Sequence, residues 1–175
     1  QKRFLKNGGR IEILKDFSHC ASDLMRLWQN AYDHASEYRR EVLTQSFFEN
    51  IDHYLENRSA VILAKANNSL VGFALLLFDH DTVIPLFFGL DYLYNREHFV
   101  DFNLLYSVVE TGIVRGMKDI DFGITTIEPK LDLGAAVVPL YMYMKHLNPI
   151  LNHFIPKAFD MMTPKNTLRF RHVFK

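Results

Sequence analysis

Cysteine is almost missing from this 175-residue sequence, where Cys20 stands alone. One thiol can form no internal disulfide and no cysteine-based zinc cluster. Cys20 itself reads as a small buried hydrophobe on the first helix. Long hydrophobic runs are lacking too. Val71 to Phe78 and Val83 to Leu90 fall far short of the roughly 20 residues that span a bilayer, so no membrane insertion is expected. The first thirty residues carry no signal-peptide core, and a reducing cytoplasm is the expected location. Nor is there an excess of charge. Twenty basic side chains balance twenty acidic ones, which argues against a duplex DNA partner held by a broad basic face. His19, His34, His53, His80, His98, His153 and His172 show no metal-ligand spacing, and no metal is expected. Internal repeats and low-complexity linkers are absent as well.

What is present is material for a core. Hydrophobic residues make up 49% of the chain, with fifteen Phe and eight Tyr, enough to fill a single domain of about 100–200 residues. Residues 1–175 are therefore expected to form one domain. The chain begins at Gln1, and its first residues read as the end of a basic helix running into Gly8-Gly9. It is expected to be the C-terminal part of a longer protein.

Hydrophobic periodicity gives the elements in order. Arg10 to Leu14 alternates and reads as a first strand. Ser18 or Ser22 is placed to cap a helix running to about Ala35, whose apolar face includes Leu24, Leu27, Trp28 and Ala31. A polar connection around Tyr38-Arg39-Arg40-Glu41 leads to a second amphipathic helix, Thr44 to Leu55, with Phe47, Phe48, Ile51 and Leu55 on one side. Three β-rich runs come next, Ala60 to Ala66, Leu70 to Phe78 and Thr82 to Leu90. Their connectors are short enough to permit only antiparallel hairpins, so the runs predict a meander. Pro85 predicts a bulge or a missing ladder bond in the third run.

His98 to Arg115 is the strongest helix, with a stripe at Phe102, Leu105, Val109 and Ile113, while Asp101, Asn103, Ser107 and Thr111 fall largely off it. Gly116 stops the helix, and Asp119 to Phe122 reads as a strand reached by a right-handed crossover, parallel to the third run and beside Leu86. The fold class is thus α/β (α+β) with a mixed sheet. Beyond that strand come small, hydroxylated and charged residues: Gly123, Thr125, Thr126, Glu128, Pro129, Lys130 and Gly134. They stand at a strand's carboxyl end, where open α/β sheets place ligands. Ala135 to Leu147 reads as a last strand, Ile150 to Phe159 as a short helix disturbed by Pro156, and the tail from Thr163 as basic, with Lys165, Arg169, Arg171 and Lys175.

This element order resembles the GNAT acyltransferase fold. Tyr106, Glu110, Gly116, Asp121-Phe122-Gly123, Lys130 and Gly134-Ala135 together are similar to the pattern of FemAB-like and BioF2-like N-acyltransferases. The opening Arg3 to Lys6, Gly8-Gly9 and Ile11 to Ile13 resembles the entry to that family's C-terminal acyltransferase domain. The resemblance implies transfer of an acyl or aminoacyl group to an amine, on a small-molecule or cell-envelope precursor substrate, with acyl-CoA or aminoacyl-tRNA as co-substrate and tRNA as a partner. It also implies a cleft where parallel strands splay apart, lined by Phe87, Gly89, Asp91 and Tyr92 together with Gly123 to Thr126. One departure stands out. Where acyl-CoA enzymes of this fold carry a Gly-rich loop for the pyrophosphate, Gly89 to Glu97 holds a single Gly, with Asp91, Tyr92 and Tyr94.

The candidate residues have two readings each. Lys130 is placed to neutralise a phosphate or a tetrahedral oxyanion, or it is a solvated lysine or a partner of Asp132. Asp121 orients an incoming amine or takes its proton, or it caps the next turn. Tyr141 and Tyr143 alternate with Met142 and Met144, so one pair faces a core and the other a cleft, and Tyr143 is the substrate-binding candidate. His146 is a general base by type or a hydrogen-bonded structural histidine. Asp121-Phe122-Gly123 is not a kinase motif, since no kinase phosphate loop or catalytic stretch precedes it. Two other functional classes stay open: a GNAT-shaped binding module that has lost its CoA loop, and the incomplete half of a two-domain enzyme.

Overall fold

The computed structural model describes residues 2–35, 41–124 and 127–162. Thr125, Thr126, the Tyr38-Arg39-Arg40 connection and the basic tail lie outside the described residues. Chain contacts divide the molecule into two compact units, residues 1–125 and 126–175.

In the first unit a short helix α1 (Lys2–Lys6) leads through a turn into strand β1 (Gly9–Leu14). Helices α2 (Ala21–His34) and α3 (Gln45–Leu55) come next, then strands β2 (Ser59–Ala66), β3 (Ser69–Asp79) and β4 (Thr82–Leu90). A short helical insert, α4 (Tyr92–His98), precedes the long helix α5 (Val100–Val114) and strand β5 (Asp119–Ile120). The sheet order is β1-β2-β3-β4-β5, antiparallel up to β4 and parallel between β4 and β5. The expected meander and helical crossover are both there. Asn67 and Asn68 both take positive φ, as a two-residue type I′ hairpin demands.

Period-two alternation sorts the sheet's side chains into two cores. Val61, Leu63, Phe73 and Leu75 face α2 and α3, meeting Phe17, Leu24, Leu27, Trp28 and Phe48. Ala60, Ile62, Ala74, Leu76 and Val83 face the other way, onto Phe4, Val100, Leu104 and Val108. Each fully buried Leu or Phe contributes about 1.5–3 kcal/mol, so helices on both faces hold the sheet in a three-layer sandwich. Neither expected serine caps α2. A 3₁₀ turn, Ser18–Cys20, leads into it, and the Asp52 carboxylate on α3 accepts from the Phe17 and Ser18 amides at 3.2 and 2.9 Å. Thr44 caps α3, accepting from the Phe47 amide at 3.3 Å.

The α5 stripe is rotated from its expected position. Ile113 is 72% exposed, and Val100, Leu104, Leu105 and Val108 are buried together with Asn103, Ser107 and Thr111. The helix is apolar nearly all round, so apolar spacing alone could not choose the inward face. The polar side chains are tolerated inside because their donors are satisfied along the helix, while Asn103 Oδ1 has no partner among the described residues. Thr111 Oγ1 donates to the Ser107 carbonyl at 2.6 Å, Ser107 Oγ to the Asn103 carbonyl at 2.9 Å, and Asn103 Nδ2 to the Phe99 carbonyl at 2.7 Å. Gly116, at φ +67, ends the helix as expected. Its amide donates to Ile113 O and that of Met117 to Gly112 O, both at 3.0 Å, the double bond of a Schellman stop.

In the second unit α6 (Ile127–Leu131) ends the same way, and α7 spans Pro149–Met162 with Pro156 inside it. Gly134, at φ +85, donates to Leu131 O, and Ala135 donates to Lys130 O, so the Gly134-Ala135 pair is a helix stop. Asn148 caps α7, accepting from the Ile150 amide at 2.9 Å. Residues 135–147 are not the expected strand. Alternation makes a strand only where another strand takes up the backbone groups, and residues 135–147 have no ladder partner among the described residues.

Candidate functional site

The sheet opens where β5 ends. Thr82 pairs with Asp119 and Val83 with Ile120, the Asp121 amide donates to Val83 O at 2.9 Å, and there the pairing stops. The neighbour of β5 is thus the beginning of β4, not the Leu86 region. From Ile84 to Leu90 that edge of β4 has no strand beside it among the described residues. The register against β3 shifts between Leu75 and Leu76, opposite Phe87 and Pro85, leaving Leu86 as the extra residue of a bulge. Pro85 shares the outward phase of Val83, so its missing N–H costs no bond to β3. Beyond the bulge the Asp91 amide donates to Val71 O at 2.8 Å. By alternation Phe87 and Gly89 then bond to β3, while the backbone groups of Phe88 and Leu90 point to the open edge.

The residues expected to line a cleft have identifiable neighbours. Phe87 stands edge-on to Phe47, ring centroids 5.7 Å apart. Gly89 is a close-approach glycine: a Cβ there would lie 2.2 Å from the Phe73 ring and 2.8 Å from the Leu27 main-chain carbon, so its lack of a side chain lets α2 lie on β4. Residues 91–94 are not a turn but the start of α4. Asp91 is its N-cap, accepting from the Leu93 amide at 3.0 Å. The Tyr92 ring stacks on His34, centroids 4.0 Å apart and planes 11° from parallel. Burial, and then the nearby Asp101 carboxylate, raise the Tyr92 phenol above its usual pKa. His34, to which the sequence assigned no role, stands in the last turn of α2 with Nδ1 3.0 Å from the Asn30 carbonyl.

Beyond the end of β4 side chains hold three amides. Besides Leu93, the Asp101 amide donates to Asn95 Oδ1 at 2.9 Å and that of Phe102 to Asp101 Oδ1 at 2.8 Å. The chain here is closed on itself, with two carboxylates where a pyrophosphate would need free N–H groups.

Asp121 accepts from the Gly123 amide at 2.8 Å, and Gly123, at φ +66, closes that turn. Lys130 lies on α6 and Tyr143, 89% exposed, on the irregular stretch after it; both belong to the second unit. At the opposite end of the sheet, after β1, lies a depression of about 500 Å³ edged by Lys15, Asp16, Asp52, His53 and Glu56. Among the described residues no His, Cys, Asp and Glu cluster fit to hold a metal is found, and no helix is long and apolar enough to cross a membrane.

Residues 1–130 match the model of the acetyltransferase (GNAT) domain. A Mycobacterium tuberculosis protein named as 8-amino-7-oxononanoate synthase 2 is 30% identical over 145 residues, 79% of this chain. The chain spans 18% of that relative's length. Among solved structures, an aminoglycoside acetyltransferase from an uncultured soil metagenomic sample, in complex with sisomicin, superposes with a TM-score of 0.56 at 15% identity, covering 81% of this chain and 99% of that one. A ribosomal-protein-alanine N-acetyltransferase from Brucella melitensis gives 0.56 at 11%, covering 80% and 99%. An aminoglycoside N-acetyltransferase in complex with CoA gives 0.52 at 15%, covering 78% and 94%.

Proposed function

The chain belongs to the acetyltransferase (GNAT) domain family, and from that premise we propose that it is an N-acyltransferase, moving an acyl or aminoacyl group from an activated carbonyl donor to an amine. The open edge of β4 beyond its bulge carries this reading. A pantetheine arm is an extended chain with amide groups, and the outward Phe88 and Leu90 backbone, with no strand beside it among the described residues, suits it as a short added strand. An outward N–H there is also a preorganised donor for the oxyanion that forms when an amine attacks the donor's carbonyl. Acyl-CoA is the donor this fits first, and structural neighbours of the chain include a CoA complex. Aminoacyl-tRNA is the second.

The segment after β4 supports the FemAB-like or BioF2-like subtype. With the amides of residues 93, 101 and 102 taken by side chains, the donor's diphosphate lacks its usual amide cradle, and its grip must come from the arm. Lys130 is proposed to stabilise negative charge and Asp121 to orient the amine. Phe87, Gly89, Asp91, Tyr92, Gly123, Thr125, Thr126 and Tyr143 remain the proposed substrate contacts. The acceptor class is a small-molecule or envelope-precursor amine, in line with neighbours named for aminoglycoside and ribosomal-protein alanine.

The same closed amides favour a second reading, a binding module without transfer chemistry. One assay separates the two. Labelled acetyl-CoA and aminoacyl-tRNA are each incubated with the chain and a panel of primary amines, and the products are weighed by mass spectrometry. An amine-dependent acyl product supports the enzyme; ligand-induced stabilisation without product supports the module.

A further inference from the structure

His34 is held in a form that suits a base. Its Nδ1 lies 3.0 Å from the Asn30 carbonyl, an oxygen that can only accept, so Nδ1 carries the hydrogen. In the neutral ring Nε2 is then the bare nitrogen, ready to take a proton. Tyr92 fixes the orientation of the ring by stacking flat on it at 4.0 Å. Packing brings the residue to the right end of the sheet. Leu27 of α2 touches Gly89 of β4, and seven residues later, about 10 Å along the helix, α2 ends at His34 beside Tyr92. Tyr92 lies two positions beyond Leu90, the last outward-facing residue of β4.

The charge at this corner fits a cationic acceptor. The carboxyl end of α2 presents the negative end of its helix dipole. Among the described residues Asp33 adjoins His34 in sequence, Asp91 caps α4 and adjoins Tyr92, and Asp101 acts on Tyr92, the ring stacked on the imidazole.

We propose that His34 Nε2 is the general base that deprotonates the acceptor ammonium. The proposal rests on the acyl-transfer reading and adds the residue that makes the amine nucleophilic. His34 Nε2 takes one proton from R–NH₃⁺ and later passes it to water. The freed nitrogen lone pair bonds to the thioester carbonyl carbon, the C–S bond breaks, and the thiolate leaves with that electron pair. The thiolate then gains the second amine proton, leaving an amide and a free thiol.

The test uses the full chain with acetyl-CoA and two amines. An alkylamine is an ammonium at neutral pH, with a pKa near that of lysine, ~10.4; hydroxylamine is already uncharged. His34→Asn keeps a side-chain N–H for the Asn30 carbonyl and removes Nε2. The expected result is a loss of kcat/KM with the alkylamine of about 100-fold or more, a loss within about threefold with hydroxylamine, and a rise of the residual alkylamine rate with pH as free amine appears. Equal losses with both amines would mark His34 as structural and overturn the proposal, as would no loss with either. A wild-type chain that acylates neither amine would remove the acyl-transfer reading and His34's role with it. A ¹⁵N spectrum of the imidazole near neutral pH tests the premise without turnover: the Nδ1–H tautomer is expected, and a ring protonated on Nε2 alone overturns the proposal whatever the rates.

Discussion

Gly89→Ala separates packing from ligand contact at a residue that both sequence and structure single out. The new methyl carbon would sit 2.2 Å from the Phe73 ring and 2.8 Å from the main-chain carbon of Leu27. Phe73 is itself fully buried and edge-on to Phe48, so it has little room to turn, and a backbone atom of α2 yields only if the helix lifts. Overpacking of this kind costs about 1–3 kcal/mol. At roughly 2–4 °C per kcal/mol for a chain this long, the melting temperature should fall by about 2–12 °C. Urea unfolding monitored by circular dichroism is the assay, with the midpoint lowered and the slope unchanged. A variant that melts within about 1 °C of wild type would refute the packing argument, and lost acyl transfer at that unchanged stability would show that Gly89 is bare for a ligand's sake.

Other single residues carry their own expected outcomes. Lys130→Ala should lose about 10²–10³ in transfer rate; a rate within about threefold of wild type takes Lys130 out of the mechanism. Asp52→Ala strips the carboxylate from the Phe17 and Ser18 amides and should destabilise the chain by about 0.5–2 kcal/mol, with an unchanged midpoint in urea as the contrary result. Tyr92 titrates higher in the folded chain than in the unfolded one. Its contribution is therefore fully present below the unfolded phenol's pKa of about 10 and is lost as pH rises through the folded value. An absorbance titration should show a late phenol that Tyr92→Phe removes, and a titration unchanged by that substitution contradicts the assignment.

The sheet was legible because its signals are local. Asn67-Asn68 specifies a tight hairpin, Pro85 a bulge, and Gly116 a helix stop, each through backbone conformations that few other residues accept. The inward face of α5 was not, since Phe102, Val109 and Ile113 offer as good an apolar stripe as the buried one, and only the sheet beneath chooses between them. Residues 135–147 misled for a related reason: alternation supplies a strand's side chains but not its partner. At the site, Asp121 was readable as a carboxylate capping the turn after its strand, and it does accept from the Gly123 amide, whereas the service of Asp91 to the Leu93 amide depends on local geometry that composition does not encode. The His34–Tyr92 stack joins residues 58 positions apart and leaves no mark on either segment alone.

The central claim is that the donor's arm lies along the open edge of β4, and amide hydrogen exchange tests it most directly. Exchange is measured residue by residue with and without acetyl-CoA, and again with acetyl-pantetheine. Phe87 and Gly89, bonded to β3, should be slow in every sample, while the Phe88 and Leu90 amides should exchange faster in the free chain and slow markedly when either donor binds. Protection confined to the depression near Asp52, or donor binding that leaves Phe88 and Leu90 unchanged, would contradict the account.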